Sequence, residues 1–227
     1  VQTEAPPVQK YARSFEDNSG KPLFVILLHD VGTAGMSREE LAKLPFPVSF
    51  VVDPLATDAK TATEAYRAAG QEVLTLANGI PQGATAEDLE TTFETLSSIL
   101  PESVAVIDQD IGGFQDKRPL ASLALPVIKG EGRGLVTYDR GLNAADQIAR
   151  REGVPSTVIF RRLDGEGENK PTMRRYLDRA AFKAAQYGFV VVIGDTRADT
   201  VAAILEWTVE GKAATVVLAP VTAVLGR

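Results

Sequence analysis

Leu23-Phe24-Val25-Ile26-Leu27-Leu28-His29-Asp30-Val31-Gly32 sets an unbroken apolar run against a histidine, an acid and a glycine. A short run of this kind, with no polar alternation, reads as a strand covered on both faces. Similar runs recur at 48–52, 72–76, 104–107, 134–138, 157–161, 189–193 and 215–218. The segments between most of them carry helix signals. Thr85 with Asp88 forms a capping-box start for 86–100, which Pro101 stops, and Asn143 can cap 144–152. Helices predicted over 56–69, 144–152, 172–187 and 199–210 run up to Gly70, Gly153, Gly188 and Gly211, and glycine is the usual helix stop. Strand and helix in alternation predict a parallel sheet with helical cover. The fold class is therefore α/β: an irregular (β/α)7-8 barrel forming a single domain over 21–227, with an open doubly wound sheet as the competing architecture. Residues 1–20, which contain Glu4-Ala5-Pro6-Pro7 and start at Val1, read as a linker remnant of a longer precursor.

Composition narrows the chemistry. The chain has 227 residues, and 24 Lys and Arg against 30 Asp and Glu give a net charge of −6, which argues against a nucleic-acid partner. The absence of cysteine removes disulfides, thiolate zinc sites and a cysteine nucleophile. The one histidine, His29, rules out the familiar two- and three-histidine metal sites within this chain. Apolar runs reach only strand length, so no membrane contact is expected of this fragment itself.

The acids fall where the runs end. Asp30, Asp53, Asp108 with Asp110, Asp139 and Asp195 each follow a predicted strand. In parallel α/β folds those ends converge on one rim, so the carboxylates can orient sugar hydroxyls, hold a hard cation or act as acid and base. Aspartate in this position also serves simply to cap the next helix or to start a turn. His29 beside Asp30 is a candidate general base or a ligand with carboxylate support, although strand neighbours point to opposite faces and one of the two can face a helix. Gly130-Glu131-Gly132-Arg133-Gly134 precedes a strand instead of following one, which is the wrong context for dinucleotide binding, and no Gly-x-Ser-x-Gly elbow is present. The arginine pairs 150–151, 161–162 and 174–175 read mainly as solvated faces, with an anion site as the alternative. Trp207 has core spacing.

The order of segments resembles the divergent polysaccharide deacetylase family, a branch of the carbohydrate deacetylase superfamily with an irregular (β/α) barrel, over nearly everything after the linker. Leu28-His29-Asp30-Val31-Gly32 stands where the family has Asp-Asp-x-Gly, and Gly70-Gln71-Glu72-Val73-Leu74 where it has Gly-His-Glu-Val-Leu. Gln109-Asp110-Ile111-Gly112-Gly113 matches Asn-His-Met-Gly-Ser, Thr137-Tyr138-Asp139-Arg140 matches Phe-Val-Asp-Ser, and Ile193-Gly194-Asp195 matches Ile-Gly-His. The resemblance implies a cell-envelope setting, periplasmic and anchored through a missing N-terminal segment, with an envelope glycan or envelope protein as partner. It also implies a metal held by aspartate and histidines. Here Gln71, Asp110 and Asp195 stand at the histidine positions, and His29 replaces the first aspartate. The expectation is a domain with no metal or other cofactor that binds glycan or a partner. Its site is Asp30 and His29 as the catalytic remnant, with Asp53, Asp108, Asp110, Asp139, Arg140 and Asp195 toward substrate. The alternative is an active deacetylase that removes N- or O-acetyl groups with one divalent cation in a carboxylate-rich site.

Overall fold

The structure, a computed structural model, describes residues 4–81, 83–209 and 212–227. β1 (Leu23–His29) pairs in parallel with β2 (Ser49–Val52) on one side and along its whole length with β8 (Phe189–Asp195) on the other. Beyond β2 the parallel ladder continues through β3 (Glu72–Leu76), β4 (Ala105–Ile107), β5 (Gly134–Tyr138) and β6 (Ser156–Ile159). The run predicted as one strand over 157–161 breaks at Phe160. Its first half lies in β6 and pairs with β5, whereas β7 (Arg161–Arg162) pairs with β8. The two ends of the sheet thus meet in one bent segment, and the architecture is a nearly closed, irregular β/α barrel, not an open doubly wound sheet. β9 (Val217–Ala219), a shorter strand than expected because residues 213–215 form a 3-10 turn, pairs with the first half of β1.

Besides the short α2 (Arg38–Ala42), which was not expected, the helices follow the predicted grammar with two departures. The capping box of α4 (Ala86–Ile99) forms between Thr85 and Asp88, and Asn143 caps α6 (Ala144–Glu152) by accepting the Asp146 N–H at 3.2 Å. α7 (Lys170–Tyr187) ends at Gly188 with φ 84, a left-handed backbone that glycine adopts without a Cβ penalty. α3 (Ala59–Ala68) starts later than expected because Asp53 folds 53–56 into a turn, its side chain accepting the Leu55 N–H at 2.9 Å. α8 (Ala198–Thr208) is described to its end, while Glu210 and Gly211, the predicted stop, lie outside the described residues. The second departure is α5 (Arg118–Gly130), which was not expected: Pro119 suits a first turn, but Pro126 is a breaker that this helix accommodates on its exposed side.

Side-chain parity divides the barrel into an interior and a helix layer. Leu23, Val25 and Leu27 of β1 point inward and pack with Val51, Leu74, Ile107, Val136, Val191 and Ile193. Phe24, Ile26 and Leu28 point outward under α3, α7 and α8, against Tyr66, Leu177 and Trp207. A third cluster seats α4, α5 and α6 on the outer face of β4 and β5 through Phe93, Phe114, Leu125 and Ile148. Each fully buried side chain of this size contributes about 1.5–3 kcal/mol of transfer free energy.

The base of the barrel, at the strand N-termini, is closed by the segments before β1 and after β9. The segment before Lys21 contains a single helical turn, α1 (Pro7–Lys10), and Tyr11 and Phe15 pack against the interior cluster. Buried Glu72 accepts from the Arg13 N–H at 3.0 Å, Ser49 Oγ at 3.2 Å, the Thr222 N–H at 3.1 Å and Thr222 Oγ1. Burial pushes its carboxyl pKa up, and those donors offset part of the rise.

Candidate functional site

The mouth of the barrel lies at the strand C-termini, and parity decides which strand-end groups reach it. His29 shares the inward parity of Leu23, Val25 and Leu27, and sits opposite Asp195, the last residue of β8, in the ladder. The His29 Nδ1 lies 3.4 Å from Asp195 Oδ1. Arg162 also donates to that oxygen, Arg197 Nε is 3.4 Å from Oδ2, and the Asp195 side chain is only 7% exposed. Burial alone would raise the Asp195 pKa, but the bond from His29 and the charges of Arg162 and Arg197 outweigh it, holding the carboxylate below its ordinary range. The same guanidinium approaches Asp164 Oδ1 at 3.6 Å and Asp110 Oδ2 at 3.9 Å. Asp164 braces the cluster from below through Oδ2, which accepts the Asp195 N–H and the Thr200 hydroxyl at 2.7 Å each.

Asp53 has inward parity after Val51 and enters a cavity of about 370 Å³ shared with His29, Asp30, Thr33 and Arg38. Its Oδ2 accepts from Asn78 Nδ2 at 3.0 Å. Gln109 Nε2 in turn donates to Asn78 Oδ1 at 3.0 Å and to Ala77 O at 3.2 Å, and Arg140 Nη2 donates to Gln109 O at 3.1 Å. A continuous line of planar polar groups therefore runs round the rim from β2 to β5.

The remaining predicted acids turn away from the barrel axis. Asp30 touches the cavity, but its carboxylate is only 5% exposed and accepts from Arg38 Nε at 2.8 Å, Tyr66 Oη at 2.8 Å and the Gly32 N–H at 2.7 Å. Asp108 is fully buried in the helix layer, where it accepts the N–H groups of Gln109, Phe114 and Gln115 at 2.8, 3.0 and 2.7 Å. Burial raises its pKa, and those three donors act against the rise. Its carboxylate lies so close to Gly113 that a Cβ there would stand 2.1 Å from Oδ1. Asp139 is exposed on the outer side of β5, beside a separate groove with Phe160 and Lys183. Gln71, at a position where the resemblance implies a histidine, stands at the base of the barrel, bonded to the Val48 N–H and Arg13.

The mouth thus brings together His29, Asp53, Asp110 and Asp195, with Arg140 on its rim. It also recruits Arg38, Asn78, Gln109 and Asp164, which the sequence reading did not single out as site residues, and Arg162, which it offered only within an arginine pair whose alternative was an anion site.

The divergent polysaccharide deacetylase family matches residues 26–225 of this chain. The chain belongs to that family. Among solved structures, an uncharacterized protein from Agrobacterium tumefaciens superposes with a TM-score of 0.81 at 18% identity, over 97% of this chain and 95% of its own. The catalytic domain of a peptidoglycan N-acetylglucosamine deacetylase from Eubacterium rectale gives 0.53 at 12% identity, over 93% and 94%. A putative cellobiose-phosphate cleavage protein from Enterococcus faecalis gives 0.61 at 11% identity, over 90% and 99%. At these identities the likeness is one of fold. None of the curated proteins compared with the chain matches it.

A metal implied by the family has to be weighed against the donors at this mouth. Among the described residues no three His, Asp or Glu side chains are arranged to hold an ion. The Asp195 oxygens face two guanidinium groups and a histidine, and the Asp30 oxygens are taken by Arg38, Tyr66 and Gly32. These donors do not fit a divalent metal.

Proposed function

We propose that this chain is a deacetylase-fold domain of the cell envelope that works without a catalytic metal and binds glycan at the barrel mouth. The observation that carries this reading is Arg162 bonded to Asp195, with Asp164 at 3.6 Å and Asp110 at 3.9 Å. A guanidinium is always charged and directional, so it offsets the charge of these acids from within and repels an added cation. What remains open on the rim are carboxylate, amide and guanidinium edges, the groups that pair with sugar hydroxyls. The envelope setting draws on family membership and on the peptidoglycan deacetylase among the fold neighbours. Calorimetric titration of chelator-treated protein with zinc, manganese, magnesium and calcium tests the metal-free reading. No saturable heat is expected at millimolar metal; one-site binding that disappears in Asp195→Asn would overturn it.

A second reading, hydrolysis of an acetyl group, is favoured by one contact. With Nδ1 held toward Asp195, the other ring nitrogen of His29 is left to take a proton from water in the shared cavity. Acetate released from an acetylated glycan by the natural chain and not by His29→Ala would replace the binding reading with this one.

A further inference from the structure

The barrel wall is not laddered all the way round. β6 is the last strand on its side of the sheet, and β8 pairs with β7 only at Val192 and Ile193. The Phe160 N–H donates to Val191 O at 2.8 Å. Below that bond the outer edge of β6 and the 189–191 edge of β8 lie side by side, with no ladder between them among the described residues. Gly226 takes the lower end of the β6 edge, its N–H donating to Ser156 O at 3.1 Å. An open strand edge is a template for another extended chain.

A groove of about 380 Å³ overlies this seam on the outer wall, between α6 and α7. Val158, Phe160 and Val190 give it an apolar lining, flanked by Arg150 of α6 and by Lys183 and Tyr187 of α7. Tyr176, Lys183 and Tyr187 are spaced seven and four residues apart, which places them on one stripe of the helix. Cations lie over the rings along it. Arg161 stands 4.4 Å from the Tyr176 centroid, and Lys183 Nζ stands 4.3 Å from that of Tyr187 and 5.2 Å from that of Phe160.

These cations are not neutralised within the chain. Among the described residues no carboxylate pairs with Lys183, with Arg161 or with exposed Arg179 one turn before Lys183. Arg150 bonds Asp146 through Nε at 2.8 Å, and the rest of its guanidinium remains for a further acceptor. Asp139 is the acid among the lining residues. On a chain of net charge −6, this face combines free cations, exposed rings (Phe182 67%, Tyr187 65%) and an unpaired strand edge.

We propose that the groove between α6 and α7 docks an extended acidic segment of a partner protein. Its carboxylates would meet Lys183, Arg150 and Arg179, its apolar side chains would cover Val158, Phe160 and Tyr187, and its backbone would follow the open edge of β6. A concave groove beside a strand edge favours a peptide, which carries backbone donors and acceptors, over a flat anionic lipid surface. The groove is on the outer wall and not in the mouth, so this interaction is independent of the glycan reading.

The test is a nitrogen-15 NMR titration of the chain with two blocked hexapeptides, one alternating Glu with Phe and Val and one with Lys in place of each Glu. Sedimentation with vesicles containing phosphatidylglycerol runs alongside. The Glu peptide should give saturable shifts at Val158, Phe160, Lys183 and Tyr187 with a Kd on the order of 100 μM, and the Lys peptide should bind about tenfold more weakly or worse. Lys183→Glu should weaken the Glu peptide about tenfold and Tyr187→Ala about threefold, with thermal melts unchanged because neither side chain is buried. Equal binding of the two peptides, a Glu peptide indifferent to both variants, shifts confined to the mouth, or no shift at millimolar peptide overturns the proposal. Vesicle binding that Lys183→Glu abolishes, without saturable shifts from the Glu peptide, overturns it in favour of an anionic lipid surface.

Discussion

Asp195 and Asp108 are both acids next to a strand end, and their surroundings drive them in opposite directions. Asp195 is surrounded by cations and its pKa is depressed. Its stabilising contribution is therefore fully present above the unfolded-state value and is lost as pH falls through the depressed folded value. Asp195→Asn should cost about 2 kcal/mol at pH 7, the scale of hydrogen bonds to a charged group, and the gap to the natural chain should narrow at pH 3. Urea midpoints at the two pH values measure it, and a gap that stays constant would remove the ion cluster as its source. Asp108 instead organises a loop: Asp108→Ala takes the acceptor from three backbone N–H groups, those of Phe114 and Gln115 in the interior, and a loss of about 3 kcal/mol in urea unfolding is expected at neutral pH. The sequence showed where these acids fall, yet not which way they face. Continuous apolar runs such as Leu23–Leu28 carry no alternation, so nothing in them marks the interior face, and a shift of one residue moves a carboxylate from mouth to helix layer.

At the scale of the elements, the barrel was legible because strand runs and glycine stops agree with one another, and it became illegible where a local rule is broken. Gly188 ends α7 with φ 84, and an added Cβ would meet no atom within 4 Å, so Gly188→Ala isolates backbone strain. That substitution should cost about 1 kcal/mol and lower the melting temperature by about 2–4 °C; an unchanged melt would mean the helix end relaxes freely. The bend at Phe160 is the counter-example. Strict alternation after inward-facing Ile159 would send Arg161 into the mouth and Arg162 outward. The break does the reverse: Arg161 stacks on Tyr176 of α7 at 4.4 Å, and Arg162 turns in to Asp195. A one-residue slip of this kind re-aims a side chain, and an arginine pair that looked like a solvated face supplies the central cation of the site. α5 was missed for the plainer reason that Pro126 sits inside it.

For the whole molecule, the two rims of the barrel do different work, and the base determines how firmly the mouth is held. The mouth line Asp53–Asn78–Gln109–Arg140 is built from loops, each anchored on a strand that reaches down to the base. There, Arg13, Glu72 and Thr222 tie the segment before β1 and the segment after β9 to the starts of β2 and β3, and Tyr11 and Phe15 cover the interior cluster. The proline-containing start led to the expectation of a linker remnant over 1–20, and contacts made 59 residues further along, as Arg13 makes with Glu72, leave no local mark in the sequence. The two roles separate experimentally. A spacer can be removed at no cost in stability, whereas a plug cannot. A chain beginning at Lys21 loses the half-buried rings of Tyr11 and Phe15 and leaves Glu72 with one donor fewer, and it should be less stable by about 2–4 kcal/mol at neutral pH. Arg13→Ala, which keeps the backbone N–H to Glu72 and removes only the side-chain bond to Gln71, should lose less than half of that. Equal urea midpoints for the shortened and natural chains would make the segment a spacer. A loss confined to the shortened chain would place the stabilisation in the rings over the barrel base, and with it the rigidity on which the mouth's polar line depends.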